Sequence, residues 1–380
     1  MFLILTFETK FSLNVLKLLK FRAILLHCMA SFQVISSIFR YNLTFIVNYL
    51  ERVMKKICFS LILLGALNSS YADNLDYQAL VNQAYAKYQA NTSGKVADYI
   101  PALAKYSPNL YGIALVTVDG KVYTAGDSNA KFPLESLAKV FALSLALQQS
   151  GSAEVLAKLG SDATGLGFNS VTAVELQPNR TGNALVNAGA MATVSLIKAK
   201  NANDKWNLIL NNLNNYADSK LSVNKEVYKS EADTNQHNQA IAKLLQSYDH
   251  FYGDTSEAVD LYTRECSVDA STLELAKMGA VLANQGKSPF NAKQLLQPEL
   301  VPNLLAEMTT AGMYDTSGSW LYSVGLPAKS GVSGGIVAIA PGKFAIAVYS
   351  PPLDGSGNSV RAQEAIQYIA NQAKVNIFTH

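Results

Sequence analysis

Cysteine is scarce in this chain: three in 380 residues, with Cys28 and Cys58 both in an N-terminal leader. Beyond the leader Cys266 stands alone, so no internal disulfide framework is available. Histidine is nearly as rare, limited to His27, His237, His250 and His380. None adjoins Cys266, which therefore reads as a small packing residue rather than a nucleophile. The sequence has no His/Cys/Asp/Glu run with metal-ligand spacing and no phosphate-binding glycine loop, so neither metal nor cofactor is expected. Internal repeats and long linkers are also missing.

A surplus of positive charge is missing too, once its location is considered. The net charge is +3, but residues 1–72 hold eight Lys/Arg against two acids. That leaves 23 basic and 26 acidic residues beyond Ala72, a mildly acidic body with no basic face for nucleic acid. With 49% hydrophobic and 16% charged residues, the whole chain suits a globular protein with a sizeable core.

The leader has three parts. Met54-Lys55-Lys56 is basic, Ile57 to Leu67 is apolar but too short to span a bilayer, and Asn68 to Ala72 ends with small residues at Ser70 and Ala72. This is the layout of a secretory signal, with cleavage expected after Ala72 and no stable membrane insertion afterwards. An exported protein, periplasmic or secreted, is the expectation if residues 54–72 are used, and a cytoplasmic one otherwise. Residues 1–53 carry no caps or turn signals, and Lys10, Lys17, Lys20 and Arg22 interrupt their first apolar runs. Translation from Met54 is the expectation, with the upstream stretch not part of the natural product and residues 73–380 forming one catalytic domain.

Beyond the leader, Leu75 to Gln89 has helical spacing. Tyr111 to Val118 and Lys121 to Ala125 flank Asp119-Gly120, which predicts a hairpin with a type I′ turn. A helix is expected over Ser136 to Gln149, stopped by Gly151. The middle, from about Leu159 to Leu305, reads as helical, interrupted by an asparagine-rich patch at Asn211 to Asn215. Within it Ser271-x-x-Glu274 is a capping box, opening a helix that ends near Gly286. Gly334 to Ala340 and Phe344 to Ser350 form a second hairpin, and a last helix runs from about Ser359 to Lys374. This order predicts an α+β fold: an antiparallel sheet completed by both ends of the chain, flanked by terminal helices, with a helical subdomain inserted.

Two motifs carry chemistry. In Ser136-Leu137-Ala138-Lys139 a hydroxyl and an amine lie three apart on one helical face, where a desolvated lysine can take the serine's proton. Alone, a serine at a helix start is more often a cap. The second is Lys329-Ser330-Gly331 before a β-rich run, alone no more than a Gly-rich turn. Together, in this order, they are the combination of serine β-lactamases and penicillin-binding proteins.

At this point the resemblance becomes specific. FPLESLAKVF (132–141), LVNAGA (185–190), YKSEADTNQHN (228–238), DLYTRECSV (260–268), TTAGMYDTSG (309–318) and GLPAKSGVSGGIVA (325–338) resemble the bacterial and mitochondrial glutaminases. The similarity runs from about Asp73 to the C-terminus. It implies the serine β-lactamase-like fold and hydrolysis of the side-chain amide of L-glutamine to L-glutamate and ammonia. It also implies a homo-oligomer, dimer or tetramer. Ser136 matches the family's nucleophile and Lys139 its partner lysine, with Tyr262, Tyr314 and Lys329 as further candidates for moving the proton. Tyr99, Asn187, Glu231, Asn238, Tyr262, Tyr314 and Val332 match substrate-contacting positions. Glu231 is then the countercharge for the substrate's ammonium, and the amides of Ser136 and Val332 would stabilise the oxyanion.

Two alternatives remain open on sequence. An exported β-lactamase or penicillin-binding-protein-type acyl hydrolase would share the Ser136/Lys139 pair, but the middle block is Tyr262-Thr263-Arg264, without the Asn such enzymes carry third. A non-catalytic amino-acid-binding protein would keep Glu231 and Asn187 but need not keep Ser136 and Lys139.

Overall fold

Period-two alternation along three buried strands builds the core. The computed structural model describes residues 75–180 and 182–379, together with Lys20, Arg22 and Met54. Apart from those three, the expected upstream stretch 1–53 and signal 54–72 lie outside the described residues. The strands are β1 (Gly112–Thr117), β2 (Val122–Gly126), β3 (Lys131–Pro133), β4 (Ser222–Val223), β5 (Val268–Ser271), β6 (Ala328–Ser330), β7 (Gly335–Ala340) and β8 (Phe344–Tyr349). Five of them form one antiparallel sheet in the order β2-β1-β8-β7-β6, so strands from both ends of the described body meet at β1 and β8. A small second sheet, β3-β5-β4, was not foreseen inside the helical middle.

Every residue of β1, β7 and β8 is buried, and alternate residues enter different cores. Ile113, Leu115, Ile336, Ile346 and Val348 join one cluster, while Ala114, Val116, Val337, Ile339 and Ala347 join the other. The first cluster is closed by the terminal helices α1 (Tyr77–Tyr88), through Leu80, Val81 and Ala84, and the last helix (Val360–Ala373), through Ala365, Ile366 and Ile369. Ser359 caps that last helix and Lys374 ends it in the left-handed conformation.

The second cluster is closed by most of the inserted helices. The inserted helices are α2 (Ala138–Leu159), α3 (Val171–Leu176), α4 (Asn187–Leu196), α5 (Ala202–Ala217), α6 (Lys225–Ala232), α7 (Gln236–Ser247), α8 (Thr255–Cys266), α9 (Thr272–Ala283), α10 (Val301–Ala311) and α11 (Ser317–Ser323), which makes the last helix α12. Val227 of α6 packs in a third, smaller cluster and Trp320 of α11 in the first. The expected capping box opens α9, with the Ser271 amide donating to Glu274 Oε2 (2.7 Å) and the Glu274 amide to Ser271 Oγ (3.2 Å). Helix α9 lies on the sheet because Gly279 has no Cβ; one would sit 2.8 Å from side-chain carbons of Ala345 and Val337.

The structure corrects three local expectations and bears out the helix break expected at Gly151. At Asp119-Gly120 only Gly120 has positive φ (84°), and the Thr117 amide donates to the Lys121 carbonyl (3.0 Å). The loop is therefore three residues long and not type I′. Asn211 to Asn215 does not interrupt the helices: α5 runs through it, carried by the buried stripe Ile209, Leu213 and Tyr216. Gly151 breaks the backbone (φ 77°, ψ 162°), yet the helix resumes at once as part of α2. Ser136 lies in a 3-10 turn, Glu135–Leu137, before α2, and neither that turn nor α2 has a side-chain cap.

Strand β6 is held by α10. The Gly312 carbonyl accepts from the Ser330 amide (3.1 Å) and from Lys329 Nζ (3.0 Å). A Cβ on Gly312 would run into the carbonyl oxygens of Ala328 and Met308, although its φ of −67° is ordinary. Gly312→Ala is therefore expected to destabilise by about 1–3 kcal/mol through overpacking, and to lower turnover because β6 must shift. Urea unfolding and activity assays check both; unchanged stability would show that β6 has room to move.

Candidate active site

Ser136 is placed by its neighbours on either side in sequence. Glu135 enters the 3-10 turn with φ +53°, a conformation uncommon for a residue with a Cβ and often found where function demands it. Three residues on, Lys139 is the second residue of α2 and only 1% exposed.

The turn between β6 and β7 lies directly against this segment. A Cβ on Gly331 would sit 2.8 Å from the Leu134 carbonyl oxygen, so glycine permits the approach. The Gly331 amide donates to Gly335 O and the Gly334 amide to Gly331 O, both at 2.9 Å. Among the described residues, the Ser136 and Val332 amides donate to no acceptor. Both residues line one cavity.

That cavity measures about 180 Å³. Tyr99, Asn187, Glu231, Asn238 and Tyr262 line it together with Ser136 and Val332. These seven come from the loop after α1, the 3-10 turn, the start of α4, the end of α6, the first turn of α7, the middle of α8 and the β6–β7 turn. Tyr99 is the exposed member, at 57%.

Behind the cavity, one amide organises the polar groups. Asn187 Oδ1 accepts from Lys139 Nζ (2.7 Å) and from the Tyr262 hydroxyl (3.2 Å), while Asn187 Nδ2 donates to Asn238 Oδ1 (3.1 Å). Lys139 thus turns toward Asn187, and no hydrogen bond joins it to Ser136 among the described residues. The Tyr314 hydroxyl lies within reach of the Ser136 side chain and donates to the Ser330 carbonyl (3.1 Å). Lys329 does not face the cavity. Its Nζ donates to Ser330 O (2.6 Å) and Gly312 O and lies 4.0 Å from the centre of the Tyr314 ring.

Burial sets the protonation states. It pushes Lys139 down to about 8. Lys329 is held well below the usual lysine range, by burial first and by the charge of Lys139 second. Burial raises Tyr262, Tyr314 and Cys266, so Cys266 is a protonated thiol packed beside Tyr262, not a nucleophile.

Several cavity residues had no sequence motif of their own. Glu135, Phe168, Asn169 and His237 line it, with His237 Nε2 bonded to the Asn169 carbonyl (2.7 Å) and Phe168 packed on Tyr314 with 4.7 Å between ring centres. Glu135 alone had a signal, as the residue before Ser136. Glu265, fully buried with neither oxygen receiving a hydrogen bond, was also missed; burial raises it to about 8. Among the described residues no three His, Cys, Asp or Glu side chains converge as a metal site would require.

The Glutaminase family model matches residues 94–378. The chain is 54% identical over 301 residues to a glutaminase of Colwellia psychrerythraea (strain 34H), covering 79% of this chain and 97% of that one. To Glutaminase 1 of Escherichia coli (strain K12) it is 49% identical over 301 residues, with the same shares covered. Among solved structures, the probable glutaminase ybaS superposes with a TM-score of 0.79 at 48% identity, over 80% of this chain and 98% of that one. A probable glutaminase from Bacillus subtilis, complexed with 6-diazo-5-oxo-L-norleucine, superposes with a TM-score of 0.73 at 28% identity, over the same shares.

The lysine shift has a stability consequence with a definite sign. Folding lowers the Lys139 pKa, so between about 8 and its unfolded value the unfolded chain binds more protons and stability rises with pH. Lys139→Met lacks this dependence. From pH 8 to 10.5 the wild type is expected to gain about 3 kcal/mol relative to that variant. Parallel denaturation curves across that range check it; a constant gap would mean that Lys139 titrates as it does in water.

Proposed function

The chain belongs to the glutaminase family and hydrolyses the side-chain amide of L-glutamine, and we propose that it does so through a glutamyl ester on Ser136. Its fold is the serine β-lactamase-like one of the glutaminase structures it matches. The observation that carries the proposal is convergence. A serine hydroxyl, two amides without acceptors and seven family-matching positions meet at a single cavity.

Each part has a role in the proposed reaction. Glu231 at the end of α6 pairs with the α-ammonium of glutamine, while Asn187, Asn238 and the tyrosines hold its carboxylate and amide. Ser136 Oγ attacks the side-chain carbonyl, and the oxyanion takes hydrogen bonds from the Ser136 and Val332 amides. Lys139, pushed down to about 8, is unprotonated in a useful fraction near neutrality and serves as the base. Tyr314, beside Ser136, positions the hydroxyl and relays its proton. Ammonia leaves, and water hydrolyses the ester through a second tetrahedral intermediate. The β-lactamase alternative loses its support, since the relatives matched across the catalytic body are glutaminases.

The Colwellia relative is covered almost end to end by 79% of this chain, and the family model begins at residue 94, beyond the leader. Export through residues 54–72, with residues 1–53 outside the natural product, is proposed on that ground and on the leader's three-part layout. A homo-oligomer is proposed from the family resemblance.

Ser136→Ala should cut turnover on the order of 10⁶-fold while glutamine still binds, and Lys139→Ala should not add to that loss, since both disable one catalytic unit. A diazo-ketone analogue of glutamine should label Ser136, read by peptide mass spectrometry; label on Cys266 would refute the ester. For export, N-terminal sequencing of the secreted protein should begin at Asp73, and a cytosolic product starting at Met1 or Met54 would count against it.

A further inference from the structure

Glu135 adjoins Ser136 and has no part in the mechanism above. It is 3% exposed, and its carboxyl neighbours the Glu231 carboxyl at the wall of the same cavity. Each of the two has an oxygen, Oε1, shut off from solvent that receives no hydrogen bond from any donor. Two buried carboxylates in contact cannot both keep their charge, so the pair must hold a proton.

Their surroundings decide which carboxyl holds it. Burial raises Glu231, and the neighbouring Glu135 carboxyl and the charge of Lys139 limit that rise to about 7. Glu135 is raised well above the usual carboxylate range, by complete burial first and the neighbouring Glu231 second, with Lys139 alone pulling it down. Lys139 is the one cation acting on the pair among the described residues. Tyr262 and Cys266 on α8 and Tyr314 are held protonated by burial, and Tyr99 and Tyr106 in the loop after α1 are also raised. His237 on α7 lines the same cavity, but its Nε2 is spent on the Asn169 carbonyl.

We infer that Glu135 works as a protonated carboxylic acid, donating a hydrogen bond to the Glu231 carboxylate and so orienting it toward the substrate's ammonium. The inference rests on the proposed role of Glu231 and adds a positioning residue to it. A neutral Glu135 leaves one negative charge to meet one ammonium. An ionised Glu135 would leave an unmatched charge one residue from the serine on which an oxyanion must develop. Because the active form is protonated, activity persists below the Glu135 pKa and falls as pH rises through it.

The test compares Glu135→Gln, which keeps a hydrogen-bond donor that cannot ionise, with Glu135→Ala. Glu135→Gln is expected to stay within about threefold of wild-type kcat/KM at neutral pH. It should also hold its activity where the wild type has fallen tenfold on the alkaline side. Glu135→Ala is expected to raise KM for glutamine about tenfold or more, with a smaller change in kcat. The infrared difference spectrum between the wild type and Glu135→Gln, recorded without substrate, should show a protonated-carboxyl band that disappears at alkaline pH. Absence of that band, or a Glu135→Gln variant as impaired as Glu135→Ala, overturns the inference. The band is read on the free protein, so it tests Glu135 apart from the glutaminase mechanism, which ammonia release by the wild type tests separately.

Discussion

A lysine amine removed from water, with one asparagine oxygen as its hydrogen-bond acceptor, ties this site together. Lys139 is almost wholly buried, and Asn187 Oδ1 receives both its amine and the Tyr262 hydroxyl. Taking a cation out of water costs several kcal/mol, and here the cost lowers the pKa toward neutrality. The helices α2, α4, α7 and α8 each contribute to this one network, so the inserted subdomain is assembled around it. A less buried lysine would be a better cation and a worse base.

Close backbone approach does the remaining work of positioning. Gly331 lets the β6–β7 turn touch the segment before Ser136, and Gly312 lets α10 close on β6. Those two contacts bring Val332 and Ser136 to the wall of the same cavity. Lys329 locks the arrangement from behind, because its amine joins the carbonyls of Ser330 and Gly312 under the Tyr314 ring. Sequence motif and structural role diverge at this residue: it marks the strand that builds the site while its own side chain faces away from the cavity.

Elements with local causes were legible in the sequence. The alternating runs of β1, β7 and β8, the capping box at Ser271 and the last helix from its Ser359 cap all follow from short-range periodicity and capping. The failures also have physical reasons. Asn211 to Asn215 has weak helix propensity, but the buried stripe of α5 overrides it. Strands β3 to β6 have two to four residues each, too short to show a period, and exist only because partners from elsewhere in the chain complete them. The turn at Asp119-Gly120 gained a third residue, which Asp-Gly cannot report.

For the site, the amino-acid sequence by itself determined which groups were available: Ser136 and Lys139 at helical spacing, the Lys329-Ser330-Gly331 motif, and blocks similar to one family. It also determined the two-faced strands whose alternate side chains require helices on both sides. Only the tertiary structure decided that Lys139 turns to Asn187 while Tyr314 approaches Ser136, and that Glu135 and Glu231 share one buried space. The reason is that protonation and hydrogen bonding depend on desolvation and on neighbours dozens of residues apart, and no local spacing encodes those quantities.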